Sequence, residues 1–287
     1  MRYYANPLLT EEKQEPMPGP ILLKLPIAMK SFIVKLQQTK ISRLQLCPLP
    51  KPLIPIEAGR ILVFAPHQDD ETLGCGGTLA LLRQKKCAIK VIFVTDGAGA
   101  GSLDADAPAV RRKEADAALR VLGINDIEFL DEPDGGFRSS AAFEKKVRQL
   151  LQQFKPDWLL APSVLDYHRD HVTVGQTVLS CWQQCGAPGH AFIYEIWSPL
   201  PATHIVDIGS VIELKKQAIS CYALPLSHCD YLSASIGLAS YRGLYLPRKQ
   251  GGNYAEAFTE IEKKASFGGL LQKMLNLRLY LESLLQH

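Results

Sequence analysis

The stretch ILVFAPHQDDETLGCGG, residues 61–77, decides the fold because it joins a fully apolar run to a cluster of ionisable side chains. Its first part, residues 61–65, has the uninterrupted apolar character of a strand that is buried on both faces. His67 and the three acids at 69–71 follow almost at once. Ligands bind beyond the carboxyl ends of the strands in open α/β sheets, so this junction is the first candidate for a functional site.

Strands and helices alternate along the chain from residue 61 onward. Further buried strands are predicted at 89–96, 127–131, 158–162 and 191–197, and helices at 77–86, 107–123, 141–154 and 171–185. Apolar strands joined by crossover helices predict an α/β fold with a mostly parallel sheet that is covered on both faces. The polar clusters that follow the first, second and fourth strands are therefore expected to meet at one edge of the sheet.

The composition limits the class of protein. The 287 residues are 47% hydrophobic and 21% charged, which is typical of a globular protein. The formal net charge is only +3, and basic residues do not interleave with aromatic ones, so nothing supports nucleic-acid binding. The seven cysteines are irregularly spaced, which favours reduced thiols and a cytoplasmic location.

The first 58 residues differ from the rest of the chain. No acid occurs between Glu15 and Glu57, and residues 29–46 combine basic and apolar residues in the pattern of an amphipathic helix. This pattern predicts a peripheral contact of residues 20–50 with the inner membrane surface; the alternative is an arm packed on the main domain. A proline-rich linker follows at 47–59. We therefore divide the chain into an N-terminal extension, residues 1–58, and a main domain, residues 59–287.

Two histidines and one carboxylate are the candidate metal ligands. His67 and Asp70 are three residues apart in a turn that opens into a helix, a spacing that lets both side chains point at one spot. His171 can supply the third ligand from the cluster after the fourth predicted strand. Two histidines and a carboxylate with an open position are typical of catalytic zinc, although the same donors also suit Fe(II), Co(II) or Mn(II).

The neighbouring polar residues suit hydrolysis. Asp69 diverges in direction from Asp70 and is free to take a proton from a water that the metal activates. His168 can donate to the oxyanion of a tetrahedral intermediate or protonate a leaving amine. Asp166 or Asp170 can orient one of the imidazoles from behind.

Other interpretations compete with a metal site. The acids at 69–71, taken alone, would suit a solvated helix N-terminus, where the helix dipole favours negative charge. The glycine-rich run at 74–77 resembles a phosphate-binding turn, but it follows acids that would repel phosphate. We interpret these glycines instead as room for a tight turn beside the ion. Serine-hydrolase chemistry has no support, because the sequence contains no Gly-x-Ser-x-Gly.

The same residues resemble the LmbE/PIG-L family of metal-dependent N-acetylglucosaminyl deacetylases. PHQDDE at 66–71 is similar to the family's His-Pro-Asp-Asp-Glu motif, and HRDH at 168–171 is similar to its His-Pro-Asp-His motif. Gln68 and Arg169 stand where the family usually has proline. Further resemblance lies in RRKEADAALRVLGI (111–124), PDG (133–135) and YAEAF (254–258), so that it runs from residue 60 to residue 258.

The resemblance implies a Rossmann-like three-layer α/β sandwich and a zinc-dependent N-deacetylase, which hydrolyses the acetamide of an N-acetylglucosamine-type sugar or glycoconjugate. The implied roles are metal ligand for His67, Asp70 and His171, general base for Asp69, and stabiliser of the intermediate for His168. The resemblance also implies a substrate contact from Arg111, with Arg112 as its adjacent rival. Two alternatives stay open: an amidase on a larger amide, such as a thiol–sugar conjugate, and a non-catalytic sugar-binding relative.

Overall fold

The computed structural model describes residues 49–99, 106–247 and 253–263. The predicted amphipathic helix at 29–46 lies outside these ranges, and the predicted domain boundary after residue 58 stays a prediction. None of the helices within the described ranges has the length and apolar character needed to span a bilayer.

Eight strands within the described residues form one sheet. They are β1 (Lys51–Pro52), β2 (Arg60–Ala65), β3 (Ala88–Thr95), β4 (Asp126–Glu132), β5 (Trp158–Pro162), β6 (His190–Tyr194), β7 (His204–Asp207) and β8 (Ala255–Ile261). Their spatial order is β1-β7-β8-β6-β5-β2-β3-β4. All neighbouring pairs are parallel except those that β8 makes with β6 and β7.

Helices cover both faces of this sheet. They are α1 (Asp70–Gln84), α2 (Ala107–Val121), α3 (Ala141–Phe154), α4 (Arg169–Cys185), α5 (Ile212–Ser220), α6 (Ala223–His228) and α7 (Tyr231–Arg242). One core contains buried residues of α1, α2, α5 and α7, whereas the other contains those of α3 and α4. The predicted Rossmann-like three-layer α/β sandwich with a mostly parallel sheet is thus confirmed.

Strand β2 shows how the sequence produces these layers. Successive side chains of a strand point to opposite faces of the sheet. Ile61 and Val63 therefore enter the core that contains α1, while Leu62 and Phe64 enter the core that contains α3, and all four are fully buried. A strand flanked by two cores has no polar position, which explains why the sequence reads as a continuous apolar run.

The glycines at 74–77 lie inside a helix, so their interpretation as a tight turn is wrong. Helix α1 begins at Asp70 rather than at the predicted start, Gly77. A Cβ atom added to Gly74 would lie 2.3 Å from Cδ2 of Tyr194, and one added to Gly77 would lie 2.8 Å from Cβ of Ile208. Glycine is needed at both positions because it lets α1 pack directly against β6 and the segment after β7.

A buried ion pair fastens α1 to β8 and α5. The Glu256 carboxylate accepts hydrogen bonds from the backbone N–H groups of Gly77 (2.8 Å) and Thr78 (2.7 Å), and Nζ of Lys215 lies 2.6 Å from its Oε1. Lys215 also donates to the carbonyl oxygen of Leu73, the group that pairs with Gly77 N–H in a regular helix. Both members of the ion pair thus hydrogen-bond to backbone groups of α1, the helix that carries Asp70.

Replacing Glu256 with alanine is expected to lower the free energy of unfolding by about 3–5 kcal/mol, because Lys215 would remain as a buried charge without its partner. Urea denaturation with and without the substitution measures this difference. The adjacent pair Lys216–Glu213 is a matched control, since its glutamate side chain is 73% exposed. Glu213→Ala should change stability very little, and an equal loss in the two variants would contradict the buried-ion-pair interpretation.

Candidate metal and active site

Three predicted ligand atoms lie at the corners of a small triangle. Nδ1 of His67 is 3.0 Å from Oδ2 of Asp70 and 3.2 Å from Nε2 of His171, and this Nε2 is 3.3 Å from the same carboxylate oxygen. His67 follows β2, Asp70 opens α1, and His171 lies in the first turn of α4. The adjacent strands β2 and β5 therefore bring the two sequence motifs together at their carboxyl ends.

The triangle fits a divalent metal ion. Zinc binds histidine nitrogen and carboxylate oxygen at about 2.0–2.2 Å, which places the donor atoms of a tetrahedral site about 3.4 Å apart. The side chains of His67, Asp70 and His171 are at most 9% exposed. Two imidazoles and one carboxylate leave a coordination position open, as in catalytic rather than structural sites.

Other metal-binding combinations in the described residues share members with this triangle. His67, His168 and His171 form one such group, and His67, Asp134 and Asp170 form another. The second group uses the opposite nitrogen of His67, and both of its carboxylates already accept backbone hydrogen bonds, from Gly99 N–H and Gly135 N–H respectively. We therefore favour the triangle with Asp70 as the metal site.

Carboxylates lie behind both candidate imidazole ligands. Nε2 of His67 lies 2.9 Å from Oδ1 of Asp134 and 3.5 Å from Oδ2 of Asp170. Nδ1 of His171 lies 3.3 Å from Oδ1 of Asp166. Such partners keep a proton on the rear nitrogen of each ring and leave the front nitrogen for a metal. The two acids that the sequence offered for this purpose thus lie behind different imidazoles.

The carboxylates around the two imidazoles favour positive charge at this site. Burial disfavours a charged imidazolium, but the nearby carboxylates, with Asp134 foremost, hold the pKa of His67 well above its usual range. In the same way, Asp70 outweighs burial and raises the pKa of His171 to about 9. Burial disfavours the charged form of Asp70 too, yet His171 keeps the pKa of that carboxyl well below its usual range. Each group is thus biased toward its charged form by its neighbours.

His168 is set to donate a hydrogen bond. It caps the N-terminus of α4, where its Nδ1 accepts a hydrogen bond from Asp170 N–H at 3.2 Å. Burial and the charges of His67 and His171 lower the pKa of His168, which favours the neutral ring. A neutral imidazole whose Nδ1 accepts must carry its proton on Nε2. Its ring centroid lies 4.6 Å from that of His171, which places this donor beside the metal site.

Asp69 has a strained backbone. It is the N-cap of α1, with φ at +133° and ψ at −29°, a region that residues with a Cβ rarely adopt. The Asp69 carboxyl lies beside Arg111, whose Nη2 is 3.5 Å from Oδ1 of Asp69. Burial raises the pKa of Asp69 to about 7, although Arg111 opposes this shift. Strained residues cluster at functional sites, which agrees with a catalytic role.

Replacing Asp69 with glycine is expected to give a more stable protein than replacing it with alanine. Both changes remove the carboxylate, but only alanine keeps a Cβ at the positive φ, a difference worth about 1–3 kcal/mol. Urea denaturation of the two variants in the presence of a chelator measures the backbone effect alone. An alanine variant as stable as the glycine variant would show that the backbone is relaxed at this position.

The two adjacent arginines of α2 face different surroundings. Arg111 is 5% exposed, and its Nη2 donates to the carbonyl oxygen of Gln68 at 2.8 Å. Arg112 pairs with Asp131 on the surface, and its guanidinium lies 4.4 Å from the centroid of the Phe129 ring. Of the two arginines, Arg111 is thus the one beside Asp69, and its contact with a substrate stays a prediction. Because Arg111 is buried beside Asp69, it is placed to fix the orientation of the Asp69 carboxylate. The same position also suits a direct contact with the substrate.

The two departures from the family motifs lie away from the ligand triangle. Gln68 is fully buried, and its side chain donates to the carbonyl oxygen of Thr95 at 2.9 Å, so it ties the first motif to the end of β3. Gly97 makes room for it, because a Cβ there would lie 2.4 Å from Oε1 of Gln68. Arg169 is exposed at the start of α4. Neither residue takes a position among the candidate ligands.

Sequence reasoning missed three contributors to the site. Asp134 lies within the PDG segment, which resembled the family but received no role. Glu71, which the sequence suggests only as part of an acidic helix N-terminus, is fully buried, and Tyr222 donates to it at 2.6 Å. Trp197 follows β6, and its ring centroid lies 5.4 Å from that of His168. The signal for Asp134 was its position after β4, at the same edge of the sheet as the two motifs.

Comparison with known proteins relates part of the chain to a family of deacetylases. Residues 62–182 match the family model described as PIG-L, GlcNAc-PI de-N-acetylase. Diacetylchitobiose deacetylase of Thermococcus kodakarensis is 26% identical over 184 residues, which cover 56% of this chain and 67% of that protein.

Solved structures agree with this match. The conserved protein TT1542 from Thermus thermophilus is 28% identical with a TM-score of 0.62, covering 71% of this chain and 95% of that one. N,N'-diacetylchitobiose deacetylase from Pyrococcus horikoshii, at 23% identity, shares the fold with a TM-score of 0.63, covering 83% of this chain and 94% of that one. The range 62–182 contains all three candidate ligands together with Asp69 and His168. Over this range, the chain is similar to the PIG-L family of de-N-acetylases.

Proposed function

We propose that this protein is a zinc-dependent hydrolase that removes the acetyl group from an N-acetylglucosamine-type sugar or glycoconjugate and releases acetate and a free amine. The observation that carries the proposal is the buried triangle of His67, Asp70 and His171, with Asp69 and His168 beside it. A relative described as a diacetylchitobiose deacetylase supports an acetylated amino sugar as the substrate class.

The zinc ion would be held by His67, Asp70 and His171. It would supply a Lewis acid that polarises the amide carbonyl and makes a water more acidic. Asp69 then serves as the general base, because its carboxylate is not needed as a ligand and its raised pKa, about 7, lies near the pH at which a base is most effective. Arg111, 3.5 Å away, holds this carboxylate in one orientation.

His168 stabilises the charge that develops on the substrate. As a water adds to the amide carbon, the carbonyl oxygen gains negative charge and the nitrogen becomes basic. The Nε2–H of His168 is a neutral donor that can bind this oxygen, and the proton that Asp69 has taken from the water is available for the departing nitrogen. Its orientation is fixed by the hydrogen bond that its Nδ1 accepts from Asp170 N–H.

Acetate release from N-acetylated sugars tests the proposal. Full-length protein treated with a chelator and then reloaded with zinc, Fe(II) or Co(II) should release acetate from N-acetylglucosamine or diacetylchitobiose only after reloading. A series of N-acyl glucosamines with longer acyl chains separates a deacetylase from an amidase with larger substrates. Undiminished acetate release in the presence of the chelator would contradict a metal-dependent reaction.

We also propose that residues 20–50 contact an anionic membrane surface, as their basic and apolar residues suggest. Cosedimentation of the full chain with phosphatidylglycerol vesicles tests this proposal. The double charge reversal Lys35→Glu and Lys40→Glu should abolish binding and leave hydrolysis of a soluble acetamido sugar unchanged. Equal cosedimentation of the variant and the unaltered protein would contradict it.

A further inference from the structure

Trp197 is an exposed aromatic residue on an otherwise well-anchored loop. Its exposed fraction is 45%, whereas the other two tryptophans, Trp158 and Trp182, are 4% and 1% exposed. A large aromatic side chain left open to solvent beside a cluster of polar side chains is typical of a ligand-binding surface. The metal and acid–base chemistry described above makes no use of this ring.

The loop that carries Trp197 is held by buried polar contacts. Backbone N–H of Trp197 donates to Oδ2 of Asp166 at 3.1 Å. Farther along, Leu200 N–H donates to Oε1 of Glu195 at 2.8 Å, and Arg242 donates to the Leu200 carbonyl at 2.8 Å. Glu195 and Arg242 are buried and paired with each other. The indole is therefore presented by a fixed backbone.

The indole lies directly beside the proposed reacting centre. Its centroid is 5.4 Å from that of His168, at an interplanar angle of 82°, and 6.1 Å from that of His171. The ring of Tyr231 lies 6.5 Å away and nearly parallel, at 26°. A group that places its amide between His168 and the metal ligands would bring the atoms next to that amide against this aromatic surface.

We propose that Trp197 is a specificity-determining residue that stacks against the apolar face of the sugar ring bearing the acetamide. A pyranose with equatorial hydroxyls presents axial C–H groups on its faces, and these pack against an aromatic ring, whereas its hydroxyls point outward to polar partners. Trp197 therefore selects cyclic amino sugars over acyclic acetamides. This inference rests on the proposed deacetylase function. It adds that the enzyme recognises the apolar face of the sugar ring.

Kinetics of Trp197 variants test the proposal. With N-acetylglucosamine or diacetylchitobiose, Trp197→Ala should raise KM about tenfold and change kcat less than about threefold, because the lost contact serves binding. Trp197→Tyr should restore most of the affinity. With N-acetylethanolamine, an acyclic acetamide, Trp197→Ala should behave as the unaltered protein does. An unchanged KM for the sugars, or an equal loss for the acyclic amide, would overturn the proposal.

Tyr241→Ala is the matched control. Tyr241 is 53% exposed on the same helix as Tyr231, but ten positions farther along, which is about 15 Å in a helix. Its removal should leave KM for the sugars unchanged. If KM for the sugars rose as much in Tyr241→Ala as in Trp197→Ala, the effect would reflect a general loss of surface aromatic residues. That result would overturn the role of Trp197.

Fluorescence provides a test that does not depend on turnover. Trp197 is the exposed indole among three, so titrating the zinc-loaded protein with glucosamine should change its emission with saturation, and the change should vanish in Trp197→Phe. Saturable binding without acetate release in any assay would refute the deacetylase function and still support the aromatic contact. Acetate release with neither a fluorescence change nor a KM effect would overturn the contact alone.

Discussion

Replacing Asp69 with asparagine is expected to lower kcat by about 10²- to 10⁴-fold while the metal stays bound. Asparagine has the same shape as aspartate, so it keeps the packing against Arg111, but it cannot take a proton from the attacking water. Asp69 also lies outside the triangle of candidate ligand atoms, which are contributed by His67, Asp70 and His171. Acetate release measured together with metal content by atomic emission checks both halves of the prediction.

A surface acid provides the control for this substitution. Asp131 pairs with Arg112 on the solvent side of α2, and its side chain is 54% exposed. Asp131→Asn should therefore leave kcat and metal content as they are in the unaltered protein. The role assigned to Asp69 fails if Asp69→Asn keeps kcat within tenfold of the unaltered value, or if it loses the metal.

Replacing Asp70 or His171 with alanine is expected to abolish both metal binding and turnover. Each change leaves two ligands of the triangle, which is too few to hold a catalytic divalent ion tightly. Activity should fall by more than about 10³-fold, because the remaining groups cannot replace the Lewis acid. Metal titration by calorimetry and acetate release in excess zinc measure the two losses, and circular dichroism verifies that each variant is folded.

Asp166→Asn should cause a partial loss of metal affinity. This loss distinguishes a residue that orients a ligand from a residue that binds the metal. Asp166 lies 3.3 Å from the rear nitrogen of His171 and contributes no atom to the triangle. Loss of such a supporting carboxylate typically weakens metal affinity by about 10- to 100-fold. Excess zinc should therefore restore turnover in Asp166→Asn but not in His171→Ala. Restoration in both variants would remove His171 from the ligand set.

The sequence predicted the parallel part of the sheet well because its strands are buried on both faces. In β2 and β5 every residue that faces a core is apolar, so the pattern identifies these strands without tertiary information. The clustering of the three candidate ligands was also predictable, because His67 and Asp70 are close in the chain and His171 follows a neighbouring strand. These positions depend on local spacing and strand order alone.

The features that sequence reasoning missed depend on contacts between distant segments. Strand β8 runs antiparallel between β6 and β7. Its segment AEAFTEI shows little of the pattern of a strand, so the local sequence did not predict it. The early start of α1 was missed because glycines favour turns when considered locally. Here they are selected by close packing against Tyr194 and Ile208. The role of Asp134 likewise appears only when the loop after β4 lies next to His67.

The single carboxylate of Asp166 has a consequence for engineering this protein. One of its oxygens faces both His171 and the backbone N–H of His168, and the other accepts the backbone N–H of Trp197. Exchanging the loop after β6 for that of another protein, in order to accept a different sugar, would therefore also disturb the ion that performs the chemistry. A successful graft must supply a backbone N–H at position 197 in the same place. Loops with proline at position 197 are therefore excluded, since proline has no backbone N–H.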